Sequence, residues 1–210
     1  ALRIARAMLP DANEEQHAAT TAQIRDRMVS RVWFVGSNAE TAPQIEASFH
    51  EALALRDAHL ATRPYLFGAR PAFGDFGLFA QLYEAWTDPT PGALIEGRAQ
   101  RVLDWLQRML WPRAEGDFEP WQGLEPTLLP FLERQVGRLF LPWTVANAAA
   151  IAAGQAEFHV ELDGRGWTQK PQKYHAKSLV ALRAKYAAAP DRAALDAVLE
   201  RAGCAAALRG

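Results

Sequence analysis

The segment Phe76–Trp86 constrains the fold more than any other part of the chain, because it is apolar on almost every side of a predicted helix. Gln81 and Glu84 are its only strongly polar residues. A helix that is apolar all round is buried inside a protein rather than lying on its surface. We therefore predict that this helix occupies the middle of a helical bundle.

The composition of the whole chain also favours helices. The sequence contains 41 Ala and 24 Leu, but only 9 Val and 5 Ile. Ala and Leu are among the strongest helix formers, whereas β-branched residues are enriched in strands. The predicted fold class is therefore all-α.

Start and stop signals divide the chain into a series of helices. Asp11–Glu14 and Thr41–Gln44 resemble capping boxes, in which two side chains three residues apart satisfy free backbone N–H groups at a helix start. Prolines and glycines mark many of the predicted ends. The predicted helices cover about residues 14–35, 42–63, 73–86, 90–111, 126–140, 143–153, 172–188 and 191–202.

One segment has the pattern of a strand. Phe158, Val160 and Leu162 alternate with polar residues, and the following Asp163-Gly164 favours a two-residue hairpin turn. We predict a small β-hairpin here, followed by two extra helices. The expected organisation is a helical bundle over residues 1–154, with the hairpin and helix pair of residues 155–210 packed on the same domain.

Charge and cysteine content exclude several classes of protein. The formal net charge is -1, so the chain has no overall basic footprint for nucleic acid or for an anionic membrane. Cys204 is the only cysteine, which excludes an intramolecular disulfide and fits a reducing, cytoplasmic compartment. The motifs of kinases, dehydrogenases, zinc proteases and serine hydrolases are absent, and we expect no metal site.

The stretch Arg63–Leu82 resembles the signature of the glutathione S-transferase C-terminal domain. It contains Tyr-Leu-Phe-Gly, then a Pro, and then an acidic residue, Asp75, in the first turn of the apolar helix. Asp75 is expected to be the structural N-cap of that helix, because its carboxylate can accept from the free N–H near Ala72. The family usually has Ser or Thr where Ala72 stands, so only half of the capping box is expected.

The resemblance implies a function for the chain. It would be the substrate-binding and dimerisation domain of a glutathione S-transferase-like protein, acting with glutathione as co-substrate on a small electrophile, by conjugation or by glutathione-dependent reduction. The catalytic residue is then expected in a thioredoxin-like N-terminal domain of the same protein, so this chain alone should be inactive. A homodimer is expected. The alternative is a non-catalytic protein–protein interaction module of the same fold.

The resemblance also places candidate substrate-binding residues on the first long helix, which would face the thioredoxin-like domain. Arg27 and Arg31 are candidates to bind a carboxylate of glutathione, and Trp33 is a candidate wall for the electrophile. The alternative interpretation is a solvated arginine face with a tryptophan packed in the bundle. Tyr83 and Trp86 are interpreted as core residues rather than pocket residues.

The tail contains further candidates with two possible roles each. An aromatic cluster either closes a cleft or docks the hairpin on the bundle, and we favour docking. Three polar residues of the hairpin either bind a hard cation or simply face solvent, and we favour solvent. Cys204 lacks a neighbouring group that would activate it and is expected to be inert. The aromatic residues are Phe140, Trp143, Phe158 and Trp167, and the polar ones are His159, Glu161 and Asp163.

Overall fold

Helices form most of the structure, a computed structural model that describes residues 1–210. The prediction of an all-α fold with one small hairpin is confirmed. The helices are α1 (Leu2–Met8), α2 (Glu14–Val29), α3 (Ala42–His59), α4 (Phe73–Thr87), α5 (Pro89–Arg98), α6 (Gln100–Met109), α7 (Trp121–Phe131), α8 (Leu141–Ala152), α9 (Lys173–Ala187), α10 (Arg192–Arg201) and α11 (Ala205–Arg209). The strands are β1 (Phe158–Leu162) and β2 (Arg165–Gln169), and no helix combines the length and apolarity needed to cross a membrane.

The start of α4 is held by the carboxylate of Asp75, which is completely buried. One oxygen, Oδ2, accepts from the backbone N–H of Ala72 at 2.9 Å. The other, Oδ1, accepts from the N–H of Leu66 at 2.9 Å and from the indole Nε1 of Trp105 at 3.0 Å. Ala72 has no side-chain acceptor to complete the box. The predicted capping role of Asp75 is therefore observed, and the same carboxylate also joins α4 to the preceding loop and to α6.

A first hydrophobic core joins α3, α4, α5 and α6. Trp105, Tyr65 and Ile95 are its largest fully buried side chains. The predicted central position of α4 is wrong, because Phe73 and Phe76 on its outer side are 86% and 49% exposed. The reason is that α2 packs along α1 and does not fold back over α4.

The N-terminal helices start and end differently from the prediction. The capping box of α2 is formed by Asn13 and Gln16 rather than by Asp11 and Glu14, because Asn13 Oδ1 and Gln16 Oε1 each accept from the other's N–H at 2.9 Å. The helix ends at Val29, and a 3-10 helix over Val32–Val35 follows it.

Two further predicted helix features are wrong. Thr41 does not cap α3 with its side chain, because its Oγ1 instead donates to Gly36 O at 2.7 Å. The single helix predicted over residues 90–111 is divided into α5 and α6 at Ala99, whose φ of -140° and ψ of 63° interrupt the helical backbone.

Residues 121–152 form one continuous helical rod in place of the two helices predicted there. It runs through α7, a π-helical segment over Leu132–Phe140, and α8. Pro126, Pro130 and Pro142 each remove a backbone donor. The wider π turn lies directly before Pro142, whose ring would crowd the carbonyl one α-turn earlier.

The C-terminal helices cover this rod through a second core. Leu141 of the rod packs with Tyr186, Ala202, Cys204 and Leu208. The close approach is possible because position 137 is Gly, where an added Cβ would lie 2.1 Å from Ala202 O. The two predicted tail helices are confirmed as α9 and α10, while the domain boundary at residue 154 remains a prediction.

The β-hairpin is confirmed with its predicted turn. The strands pair antiparallel from Phe158 opposite Gln169 to Leu162 opposite Arg165. Asp163 and Gly164 have φ values of 49° and 76°, the left-handed conformation that two-residue hairpin turns require. Asp163 lies in this turn and not on the strand that carries His159 and Glu161, so these three candidate cation ligands do not lie together on one strand.

We expect Asp75→Ala to lower the free energy of unfolding by about 3 kcal/mol, because it leaves buried N–H donors without an acceptor. Asp191→Ala is the matched control, since Asp191 accepts only one N–H, that of Ala194, at an exposed helix start. That loss should be about 1 kcal/mol. Denaturant unfolding measures both values, and equal losses in the two variants would contradict the anchoring role of Asp75.

We also expect Gly137→Ala to destabilise the protein by about 2 kcal/mol, because its methyl group would separate the rod from the end of α10. Gly97 is also helical, but a Cβ there meets nothing within 4 Å. Gly97→Ala should therefore be neutral or stabilising by about 0.5 kcal/mol. Thermal unfolding of both variants tests this contact between the rod and the end of α10. An unchanged melting temperature for Gly137→Ala would show that the two are not closely packed.

Candidate functional site

An apolar strip lies exposed at the end of α2 and in the 3-10 helix that follows. Its members expose between 42% and 64% of their surface. Exposed apolar patches of this kind mark binding surfaces in soluble proteins. The apolar strip consists of Met28, Val29, Val32, Trp33, Phe34 and Val35.

The backbone beneath the apolar strip is fixed by the tail of the chain. The carbonyl of Phe34 accepts from Gln169 Nε2 at 3.3 Å and from Gln172 Nε2 at 3.1 Å. Gly36, next in the chain after the strip, has a φ of 79° and faces the ring of Trp167 so closely that a Cβ would lie 2.4 Å from it. The strip is therefore held in one conformation although its side chains are exposed.

The structure places all three predicted substrate-binding residues at or next to this surface. Their predicted position on one long helix is wrong for two of them, because α2 ends at Val29, so that Arg31 precedes the 3-10 helix and Trp33 lies within it. Trp33 is 48% exposed, packs edge-to-face on Phe34 at 5.8 Å between ring centroids, and has Lys170 Nζ 4.4 Å from its ring centroid. Arg27 and Arg31 are exposed, and neither guanidinium forms an ion pair or hydrogen bond within the protein. Trp33 is therefore not packed inside the bundle, which was the alternative interpretation. The binding roles of the three residues remain predictions.

The aromatic residues of the tail surround the side chain of Gln169. Its Oε1 accepts from Trp143 Nε1 and from Trp167 Nε1, both at 3.0 Å. Trp143 also packs edge-to-face on Phe158 at 5.9 Å, whereas Phe140 is 43% exposed. These contacts dock the hairpin on the rod, as we favoured from the sequence, and Phe140 is the member of the cluster that contributes least.

The other sequence candidates carry little chemistry. His159 Nδ1 lies 2.7 Å from Thr168 Oγ1, and Asp163 lies 3.7 Å from Arg138 Nη1. No group of three or more His, Cys, Asp or Glu side chains is arranged to hold a metal ion. Burial raises the pKa of the Cys204 thiol, which keeps it protonated. Trp86 packs against the first core, while Tyr83 remains 39% exposed.

The structure also contains a cavity that sequence reasoning missed. It has a volume of about 730 Å³ and lies between α3, α4, the rod and α10. No motif marks it, because its lining is drawn from segments that are far apart in the sequence. The lining residues include Leu55, Arg56, His59, Leu78, Leu128, Phe131, Leu195, Val198 and Leu199.

His59 at the edge of this apolar cavity is held by hydrogen bonds on both ring nitrogens. Nε2 lies 2.8 Å from Leu66 O, which can only accept, so Nε2 carries the proton. Nδ1 then accepts from Thr127 Oγ1 at 2.7 Å and from Arg63 Nη1 at 3.2 Å. Burial lowers the pKa of His59 from 6.5, opposed by the bond to Leu66. The imidazole is therefore a neutral tie between α3 and α7 with no nitrogen free for catalysis.

Comparison with known proteins shows a similarity over part of the chain. Residues 21–108 match the family model described as glutathione S-transferase, C-terminal domain. This part of the chain is therefore similar to that family. The match begins within α2, includes Arg27, Arg31, Trp33 and Asp75, and ends in α6 before the rod. Neither the curated proteins nor the solved structures provide a match.

The state of His59 predicts that the stability of the protein depends on pH. A histidine whose pKa is lowered on folding binds its proton more readily when unfolded, so stability falls as the pH drops below about 6.5. In His59→Gln, the loss of unfolding free energy between about pH 7.5 and about pH 5.5 should be smaller than in the wild type. His159→Gln, at an exposed position, should retain the full loss. An identical pH dependence in both variants would show that His59 is not the group responsible.

Proposed function

We propose that this chain is the helical domain of a glutathione S-transferase-like transferase that acts in the cytoplasm as a homodimer. Glutathione is its co-substrate, and a small electrophile is its second substrate. The apolar strip is the observation that carries the proposal. It lies within the family-matched segment, its side chains are exposed, and its backbone is held rigid. A rigid apolar surface of this kind suits a substrate-facing wall.

The partner on this surface is a thioredoxin-like N-terminal domain of the same protein. That domain supplies the hydroxyl or thiol group that lowers the pKa of the glutathione thiol, so that the thiolate can attack the electrophile. Residues of the present chain orient the reactants. The two unpaired guanidinium groups of Arg27 and Arg31 support binding of glutathione carboxylates, and Trp33 supports binding of an apolar electrophile.

The same reactants support a second reaction type. Glutathione can reduce a disulfide substrate through a mixed disulfide instead of adding to an electrophile. Since both reactions need the same carboxylate recognition, Arg27 and Arg31 have the same role in either. Measuring conjugated product and oxidised glutathione in parallel separates the two.

The alternative function is a non-catalytic protein–protein interaction module. The exposure of six neighbouring apolar residues in the apolar strip favours this alternative as well, because such a patch suits a protein partner. The two functions differ in their requirement for the arginines. A transferase needs their charge to bind glutathione, whereas an apolar protein interface depends mainly on residues such as Val35 and Trp33.

We expect Arg31→Ala in the full-length protein to raise KM for glutathione about tenfold, because it removes a charged hydrogen bond to a carboxylate. Arg27→Ala should have a similar effect. Trp33→Ala should instead raise KM for an aryl halide electrophile and leave KM for glutathione nearly unchanged. Initial-rate kinetics with each substrate varied in turn measure these changes.

Arg98→Ala is the matched control, since Arg98 is exposed on α5 and forms no ion pair. Its kinetic constants should equal those of the wild type. If the full-length protein neither binds glutathione at millimolar concentration nor turns over either type of substrate, the transferase proposal is wrong. Loss of a protein partner on Val35→Asp, with no effect of Arg31→Ala, would then identify the interaction module.

A further inference from the structure

The apolar cavity has the form of a ligand site rather than of a packing defect. Its volume of about 730 Å³ lies within the range of about 300–1,000 Å³ found for small-molecule sites. Most of its lining is buried or half-buried, but Gly74, Gln122 and Ala194 are exposed and mark where the cavity meets solvent. A ligand therefore has both an apolar volume, open on one side, and a route of entry.

Arg56 is the one charged residue in the lining besides the neutral His59. Its guanidinium lies 4.2 Å from the centroid of Phe131, and Nη1 donates to Ala52 O at 3.1 Å. A guanidinium has five N–H groups, so most of those of Arg56 have no acceptor within the protein. Burial lowers its pKa to about 10, which still leaves the group charged at neutral pH.

No carboxylate of the protein neutralises this cation. Arg56 forms no ion pair, and acidic residues of α3, of α7 and of the loop before α7 are engaged with other partners. Glu51 binds Arg134 at 3.0 Å and Gln135 at 2.8 Å. Glu119 binds Arg63 and Glu125 binds Arg201. A half-buried cation without an anionic partner at the wall of an apolar cavity is costly unless an anion joins it.

We propose that the apolar cavity binds an amphiphilic monocarboxylate, with its aliphatic chain among the leucines and its carboxylate on the guanidinium of Arg56. The ligand has a single acidic group because the cavity offers a single free cation. Of the other polar side chains in the lining, His59 is fully engaged with Leu66, Thr127 and Arg63, and Gln122 is uncharged and lies at the exposed mouth. None of the apolar strip residues lines the cavity, so the proposal does not depend on the transferase function.

The test is a calorimetric titration of the protein with octanoate, decanoate and dodecanoate below their micellar concentrations. Each added methylene buries more apolar surface, so the dissociation constant should fall about fourfold per methylene. The methyl ester of decanoate keeps the chain but has no charge, and it should bind about tenfold more weakly than decanoate. Binding that is absent, or equal for acid and ester, would overturn the proposal.

Two variants locate the site. Arg56→Gln should remove the preference for acid over ester, whereas Arg98→Gln should keep it. Val198→Phe fills the cavity and should weaken binding of every chain length, and its thermal unfolding checks that the fold is intact. Retention of the acid preference in Arg56→Gln, or of full affinity in a folded Val198→Phe, would place binding elsewhere and refute the assignment. The comparison of acid and ester binding to the wild type tests the need for a carboxylate independently of either variant.

Discussion

The structure depends on a buried carboxylate that accepts hydrogen bonds from three separate parts of the chain. Asp75 binds the N–H of Leu66, the N–H of Ala72 and the indole of Trp105. Because a buried carboxylate is stable only when its oxygens are satisfied, these bonds require the loop, α4 and α6 to meet at one point. The first core forms around that point, and the apolar cavity lies against the same loop through Leu66.

Much of this fold was predictable because its signals are local. The capping role of Asp75, the turn at Asp163-Gly164 and the helical class each follow from a few neighbouring residues. The errors concern tertiary packing. Phe73 and Phe76 are exposed because α2 stays with α1, and the rod continues through Pro142 because a π-helical segment accommodates it. Neither the position of α2 nor the continuity of the rod can be deduced from the sequence alone. Periodicity shows which side of a helix is apolar, but it does not show which element covers that side.

The two candidate sites also differ in how far they could be found from the sequence. Arg27, Arg31 and Trp33 were found through the resemblance to a family, and the structure adds that all three are exposed. The apolar cavity had no sequence signal. Its leucines are separated by more than 100 residues, and in the sequence they cannot be distinguished from leucines that pack against each other in a core. Nothing in the sequence distinguished Arg56 either. An arginine in a helix is ordinary, and only the lack of an anionic partner in three dimensions makes it distinctive.

The amide of Gln169 joins the carbonyl of Phe34 to the indoles of Trp143 and Trp167, although these residues come from opposite ends of the sequence. Part of the surface of the family-matched region 21–108 is therefore anchored by residues outside the match. The apolar strip is held at Phe34 by a residue of the hairpin, which the family model does not cover. Divergence in that hairpin is a route by which related proteins can acquire different selectivity while every residue of the shared region stays the same.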